Sequence, residues 1–207
     1  MRRGIDNSMW QMKELIDRGI KKDWYTQVSM NFAMNERPLE QAAKSGCQIV
    51  FVGVEAEDID AIKEINKKVN LKIGVQNYEE LFRCVHQYGI GIETNFIYGM
   101  DCDTPEKLRR RAEYILNSEI DVPHIGILTP LPGTKLFNRM REEGRLLYTN
   151  FPDGWCHYNF LQVSHQRPLI EPQLLIDIFR ESCYLIYSSS ALKHSFDRTL
   201  AATKNFF

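Results

Sequence analysis

The segment Gln48-Ile49-Val50-Phe51-Val52-Gly53-Val54-Glu55 constrains this chain more than any other. A near-continuous apolar run of that length suits a parallel strand buried on both faces. The flanking sequence supports this. Met9, Met12, Leu15 and Ile16 recur at helical spacing after an Asn7-Ser8 cap, and Gly19 closes that helix. A strand is predicted over 24–30, with Tyr25, Gln27, Ser29 and Asn31 towards one face and Thr26, Val28 and Met30 towards the other. Helices follow over 38–44, ahead of Gly46, and over 58–66. Another spans 77–88, with Leu81, Phe82 and Val85 as its apolar side. A strand over 90–98 leads to a helix over 104–117, opened by Thr104-Pro105-Glu106 as cap, first-turn proline and early acid. A strand over 122–129 ends in Pro130-Leu131-Pro132-Gly133-Thr134, before a helix over 135–143.

Strands alternating with helices imply an α/β fold with a parallel sheet. The four strand–helix units before Gly144 fall short of a closed (β/α)8 barrel, so the segment is an open sheet or an incomplete barrel. Beyond Arg145 the character changes. Residues 150–172 hold Trp155, Tyr158 and three prolines and read as loops, and 174–200 read as helix. The division expected is a partial barrel over 1–147 and a loop-and-helix extension over 148–207.

A net charge of -1 argues against nucleic acid or an anionic membrane as partner. No apolar run approaches the roughly 20 residues that span a bilayer. The polar start Met1-Arg2-Arg3-Gly4 is no signal peptide, so a cytoplasmic location is expected. Cys47, Cys84, Cys102, Cys156 and Cys183 are odd in number and scattered. They make neither a disulfide framework nor a zinc or cluster signature.

Ligands of parallel α/β folds bind at the C-terminal ends of the strands. There Glu55 closes one strand, Glu93 and Asn95 share a face of the next with Ile97 and Gly99, and Gln27, Ser29 and Asn31 lie on the first. Polar groups on buried strands need partners. Either they bond one another in a closed core or they line a ligand-filled interior, and their presence on three successive strands favours a site. Gly53 and Gly99 fit close approach of a ligand to the backbone.

Four segments carry a resemblance. Val52-Gly53-Val54-Glu55 matches the Gly-(Ile/Val)-(Glu/Gln)-Ser element of the fourth barrel strand in radical S-adenosylmethionine (radical SAM) enzymes. Thr94-Asn95-Phe96-Ile97-Tyr98-Gly99 matches their fifth-strand element, Leu128-Thr129-Pro130-Leu131-Pro132-Gly133-Thr134 the sixth-strand ending, and Glu143-Gly144-Arg145-Leu146 the segment that often follows. Order and spacing agree over residues 20–147, and Trp155-Cys156-His157-Tyr158 resembles an element of the cobalamin-binding-domain subgroup.

The resemblance implies that the chain holds strands three to six of a (β/α)6 partial barrel. In the family, a C-x-x-x-C-x-x-C loop after strand one binds a 4Fe–4S cluster. Its open iron takes the SAM amino and carboxylate groups, and reduction releases a 5′-deoxyadenosyl radical. That cysteine motif does not occur in this sequence; it and the glycine-rich second motif would lie upstream of Met1. The chain is therefore expected to be a C-terminal fragment, inactive by itself, of a radical SAM oxidoreductase or methyltransferase. SAM and 4Fe–4S would be the parent's cofactors, with cobalamin a further candidate, none held tightly by this piece.

What carries over is the other half of the SAM site. By resemblance, Glu55 would bond the ribose or amino-acid part. Lys67, twelve residues on, would pair with the SAM carboxylate or else be a solvated helix-end charge. Asn95 would contact the ribose hydroxyls, while Ile97, Gly99 and Thr129 would let adenine lie against the fifth and sixth strands. Ala56 replaces the usual serine, which removes one ligand hydrogen bond, and Cys102 reads as a plain turn residue. His124 is expected to be structural, at the wrong end of its strand. Two alternatives differ in class. A self-sufficient aldolase-type barrel would need a strand-borne lysine, for which only the doubtful strand Leu71-Lys72-Ile73 offers one. A binding or assembly module would use the bare strand edge of an incomplete barrel, which invites a homodimer. The small-molecule substrate is not legible.

Overall fold

The structure, a computed structural model, describes residues 2–203. Four strands, β1 (Trp24–Val28), β2 (Cys47–Glu55), β3 (Gly91–Tyr98) and β4 (Val122–Ile127), form one sheet in sequential order, all parallel. Helices fill every crossover: α1 (Arg2–Asp17) precedes β1, α2 (Glu36–Lys44) follows it, and α3 (Ile59–Glu64), α4 (Lys68–Ile73) and α5 (Tyr78–Gln87) join β2 to β3. Next come α6 (Pro105–Asn117) and, after β4, α7 (Lys135–Glu142).

Local chemistry sets these bounds. Asp58 caps α3 by accepting from the Asp60 and Ala61 amides at 2.9 and 3.1 Å. The Thr104 hydroxyl accepts from Lys107 N at 3.3 Å, with Pro105 in the first turn, so α6 starts as expected. Three expectations change. Helix α1 already runs at Arg2, so Asn7 and Ser8 lie inside it, because apolar spacing locates a helical face and not its first turn. The lysine of Leu71-Lys72-Ile73 is helical and not on a strand. The single helix over 174–200 is two, α8 (Pro172–Ile186) and α9 (Ser189–Thr203), divided where the Ser188 hydroxyl accepts from Ala191 N at 3.2 Å.

The sheet has two unlike faces. Val50, Val52, Val54, Ile92, Phe96, Tyr98 and Ile127 are buried in one core with Leu39, Ala42, Phe82, Val85, Leu108 and Ala112 of the helices. The opposite face, called inner below, is only half covered: Phe51, Gly53, Asn95 and Ile97 are intermediate in burial and Tyr25 is exposed. Strand β2 is thus sealed on one side rather than both, since Phe51 and Gly53 extend its apolar run onto the open face. Leu175, Ile178, Phe179 and Ile186 of α8 join the same core.

The sheet is pinned at its N-terminal end by Asp121. Its carboxylate accepts from Ile92 N at 2.6 Å, lies 2.8 Å from His86 Nε2 and accepts from the Thr199 hydroxyl of α9. Among the described residues, no helix is long and apolar enough to cross a membrane.

Candidate functional site

Register across the sheet brings the polar residues of the inner face into one row. Gly53 of β2 pairs with Asn95 of β3, which pairs with His124 of β4; Phe51 pairs with Glu93 one step below. Paired residues of neighbouring parallel strands point the same way.

Above this row β2 departs from regularity. Gly53 pairs with Asn95 but Glu55 pairs with Phe96, so Val54 is an extra residue, a bulge. Glu55 takes φ 70°, a left-handed conformation that costs a non-glycine residue about 1–3 kcal/mol and persists only when its surroundings enforce it. The carboxylate folds back over Gly53. One oxygen pairs with the Lys67 ammonium, and the other accepts from Asn95 Nδ2 at 2.5 Å. A side chain at Gly53 would put its Cβ 2.8 Å from Glu55 Oε1 and against Lys67 Nζ, so these two side-chain ends would have to move aside. Lys67 stands at the N-terminus of α4, and that short helix aims it at Glu55. Asn95 Oδ1 is buried and has no partner among the described residues. Glu55, Lys67 and Asn95, separated by up to 40 positions in sequence, are therefore one cluster.

The remaining expected residues are differently placed. The turn after β3 is held by charged groups. Asp103 Oδ2 accepts from Gly99 N and Met100 N at 2.8 Å, and Arg111, fully buried, bonds Asp103 at 2.9 Å, Glu57 at 2.9 Å and Ile97 O at 2.5 Å. Burial works against the Arg111 charge, yet Asp103 and Glu57 raise its pKa above the ordinary value. Glu64 accepts from the amides of Asp101 and Cys102 at 2.8 and 3.0 Å. Gly99, at φ 86°, lies under Arg167, which donates to Gly99 O and, at 3.1 Å, to Leu128 O. The Thr129 hydroxyl donates to Ile127 O at 3.0 Å and accepts from Phe160 N at 3.2 Å. The backbones of Gly99 and Ile97 and the Thr129 hydroxyl are thus engaged by the protein itself, and of these three only Ile97 presents its side chain to the inner face.

Sequence reasoning missed three groups. Asn70 of α4 bonds the β2 bulge, and Arg167 arrives from the loop before α8. His124, expected to be structural, sits level with Asn95 on the inner face, its Nε2 2.5 Å from Glu93 and its ring 6.3 Å from Phe51. Counting side-chain parity from Asn95 across the register could have found it; nothing in the sequence marks the other two. Burial, with Glu64 beside it, pushes the Cys102 thiol up to about 12, so it is no thiolate at neutral pH. No group of three or more His, Cys, Asp or Glu among the described residues could hold a metal ion.

Two clefts lie elsewhere on the described residues, neither lined by Glu55, Lys67 or Asn95. One of about 340 Å³, at the strand ends, is lined by Glu64, Ile65, Leu128, Lys135, Leu136 and Arg139. The larger, about 460 Å³, lies between α1 and the outer edge of β1, away from Glu55.

A parallel sheet of this order, with Glu55, Lys67 and Asn95 gathered on its inner face, agrees with the portion of a radical SAM barrel that the sequence resembles. No protein-family model matches the chain. It is 28% identical to bacteriochlorophyllide d C-12(1)-methyltransferase of Chlorobaculum tepidum over 169 residues, 82% of this chain and 35% of that protein. It is 30% identical to hopanoid C-2 methylase of Rhodopseudomonas palustris over 139 residues, 67% of this chain and 25% of that one. The structure of the radical SAM methyltransferase TsrM from Kitasatospora setae, with cobalamin and a 4Fe–4S cluster bound, superposes with a TM-score of 0.57 at 17% identity, over 83% of this chain and 32% of that one. In fold the chain is similar to radical SAM enzymes and in sequence to the methyltransferases named, which is consistent with a partial radical SAM domain. It spans about a third or less of the length of these relatives.

Proposed function

We propose that this chain supplies the wall of a SAM site in a radical SAM methyltransferase, and that the cluster is bound by other residues of that protein. The observation that carries the reading is the strained bulge that sets Glu55 between Lys67 and Asn95. The donor set fits SAM. A carboxylate accepts from an ammonium or a hydroxyl, an ammonium pairs with a carboxylate, and the orphan Asn95 Oδ1 accepts from a ribose hydroxyl. In this reading Glu55 and Lys67 hold the amino-acid end and ribose, and adenine rests against Ile97, with Gly99 and Thr129 shaping the strand ends behind it. The five scattered cysteines do not fit a 4Fe–4S cluster, so this chain alone is inactive. Bound elsewhere in the protein, such a cluster supplies the electron that cleaves SAM; the residues here bind and orient it. Methyl transfer is proposed from the named activities of the relatives, and cobalamin as the methyl carrier from its presence in the TsrM structure.

The test is weak binding followed by nuclear magnetic resonance. Millimolar S-adenosylhomocysteine should shift the Gly53 and Glu55 backbone amides and the Asn95 side-chain amide saturably, and Glu55→Ala should abolish the response. Shifts spread evenly over the surface, or unchanged in E55A, would sink the reading. Reconstitution with iron and sulfide that yielded a stoichiometric cluster would overturn the claim that this chain lacks the cluster site.

A further inference from the structure

Asn70 is fully buried in α4, three residues after Lys67, and its side chain faces the backbone of β2. Nδ2 donates to Gly53 O and Val54 O, each at 3.2 Å. These are the carbonyls of the bulge itself, where the ladder to β3 slips by one residue. A regular strand gives its carbonyls to its neighbours, whereas a bulge leaves the extra residue unpaired, and a buried carbonyl without a donor is strongly disfavoured. Only the NH2 end of an amide can serve two carbonyls, so these contacts also fix which way Asn70 points. One short helix therefore grips the site twice: Lys67 takes the Glu55 carboxylate and Asn70 takes the backbone that presents it.

We infer that Asn70 is the positioning residue of this site: by satisfying the Gly53 and Val54 carbonyls it holds the bulge that lets Glu55 stand at φ 70° and reach both Lys67 and Asn95. Its functional arm rests on the reading of Glu55 as a SAM-holding residue. The structural arm does not. Without the two amide bonds, β2 relaxes towards the regular register, and Glu55 leaves Asn95.

The experiment compares Asn70→Leu, similar in volume and without polar atoms, with the unaltered chain and with Glu55→Ala. Thermal unfolding, the Asn95 side-chain amide resonances and the affinity for S-adenosylhomocysteine are measured for each. N70L should unfold cooperatively, move the Asn95 amide pair to its position in E55A, and weaken S-adenosylhomocysteine about tenfold or more, as expected for a lost hydrogen bond to a charged group. A residue that merely docks α4 would lower the melting temperature and leave the Asn95 resonances in place; that result overturns the inference. If N70L does not fold, Asn70→Ser, smaller and still polar, enters the same comparison. If the unaltered chain shows no response to S-adenosylhomocysteine, the SAM reading fails, while the Asn95 resonances still decide the role of Asn70.

Discussion

His165 carries a cost that the rest of the molecule absorbs. Its side chain is fully buried, and neither ring nitrogen has a partner among the described residues. Burial, reinforced by Arg167 and Arg145, lowers its pKa from 6.5 to about 3. The sign follows from linkage. Above pH 6.5 the imidazole is neutral in both states and stability is unaffected. As pH falls from 6.5 towards 3, the unfolded chain takes a proton that the folded one refuses, and stability is lost by up to about 1.4 kcal/mol per pH unit. His165→Leu should flatten that part of the acid limb in urea melts taken at successive pH values. An unchanged slope would show that the ring reaches water. Nothing in the sequence distinguishes this histidine from the half-buried His157, because its burial comes from the pairing of Leu146 with His165, two segments that local pattern does not connect.

At the scale of elements, the best-read part was helix and strand content. Thr104, Pro105 and Glu106 state the start of α6 in local chemistry, and β2 is an apolar run with few other uses. The poorly read parts depend on what arrives from a distance. Leu71-Lys72-Ile73 is too short a pattern to separate strand from helix, yet it belongs to α4, which positions both Lys67 and Asn70. Glu55, Lys67 and Asn95 could be nominated from motifs, but the bulge and φ that join them could not, since neither has a local signature. Helix α6 shows the same dependence. Its Arg111 lies among apolar residues on the buried face, paired with a fully buried Asp103. Arg111→Met should lower stability by about 3–5 kcal/mol in urea unfolding, because it strands that carboxylate. Adding Asp103→Asn, which keeps an acceptor for the Gly99 and Met100 amides and removes the charge, should recover much of the loss. A double variant no more stable than R111M would place the cost in lost packing.

For the molecule as a whole, the open features are the inner face and the outer edge of β1. That strand ends the sheet, and the cleft beside it is lined by Met9, Met12, Leu15, Trp24, Val28 and Phe32. Unpaired strand edges pair when they can. We propose self-association of the isolated chain through β1. Sedimentation should give a dimer at high concentration, and Thr26→Pro, which bars one ladder bond, should shift it towards monomer. A stable monomer at high concentration would count against the edge as a pairing surface. The parallel order of this sheet was legible from alternation alone, whereas the one-sided covering of β2 was not, because composition does not reveal which face a helix layer reaches.

The charged groups that hold the turn after β3 have a consequence in ionic strength. Arg145 and Asp101 keep 19% and 30% of their side-chain surface in water, whereas Arg111 and Asp103 keep none. Dissolved ions screen the first pair and hardly reach the second. Rising salt therefore weakens the tie between the turn and the loop carrying Arg145 while the turn's own shape persists. Within one short segment, salt can loosen the contact to the loop after α7 while the turn itself keeps its shape.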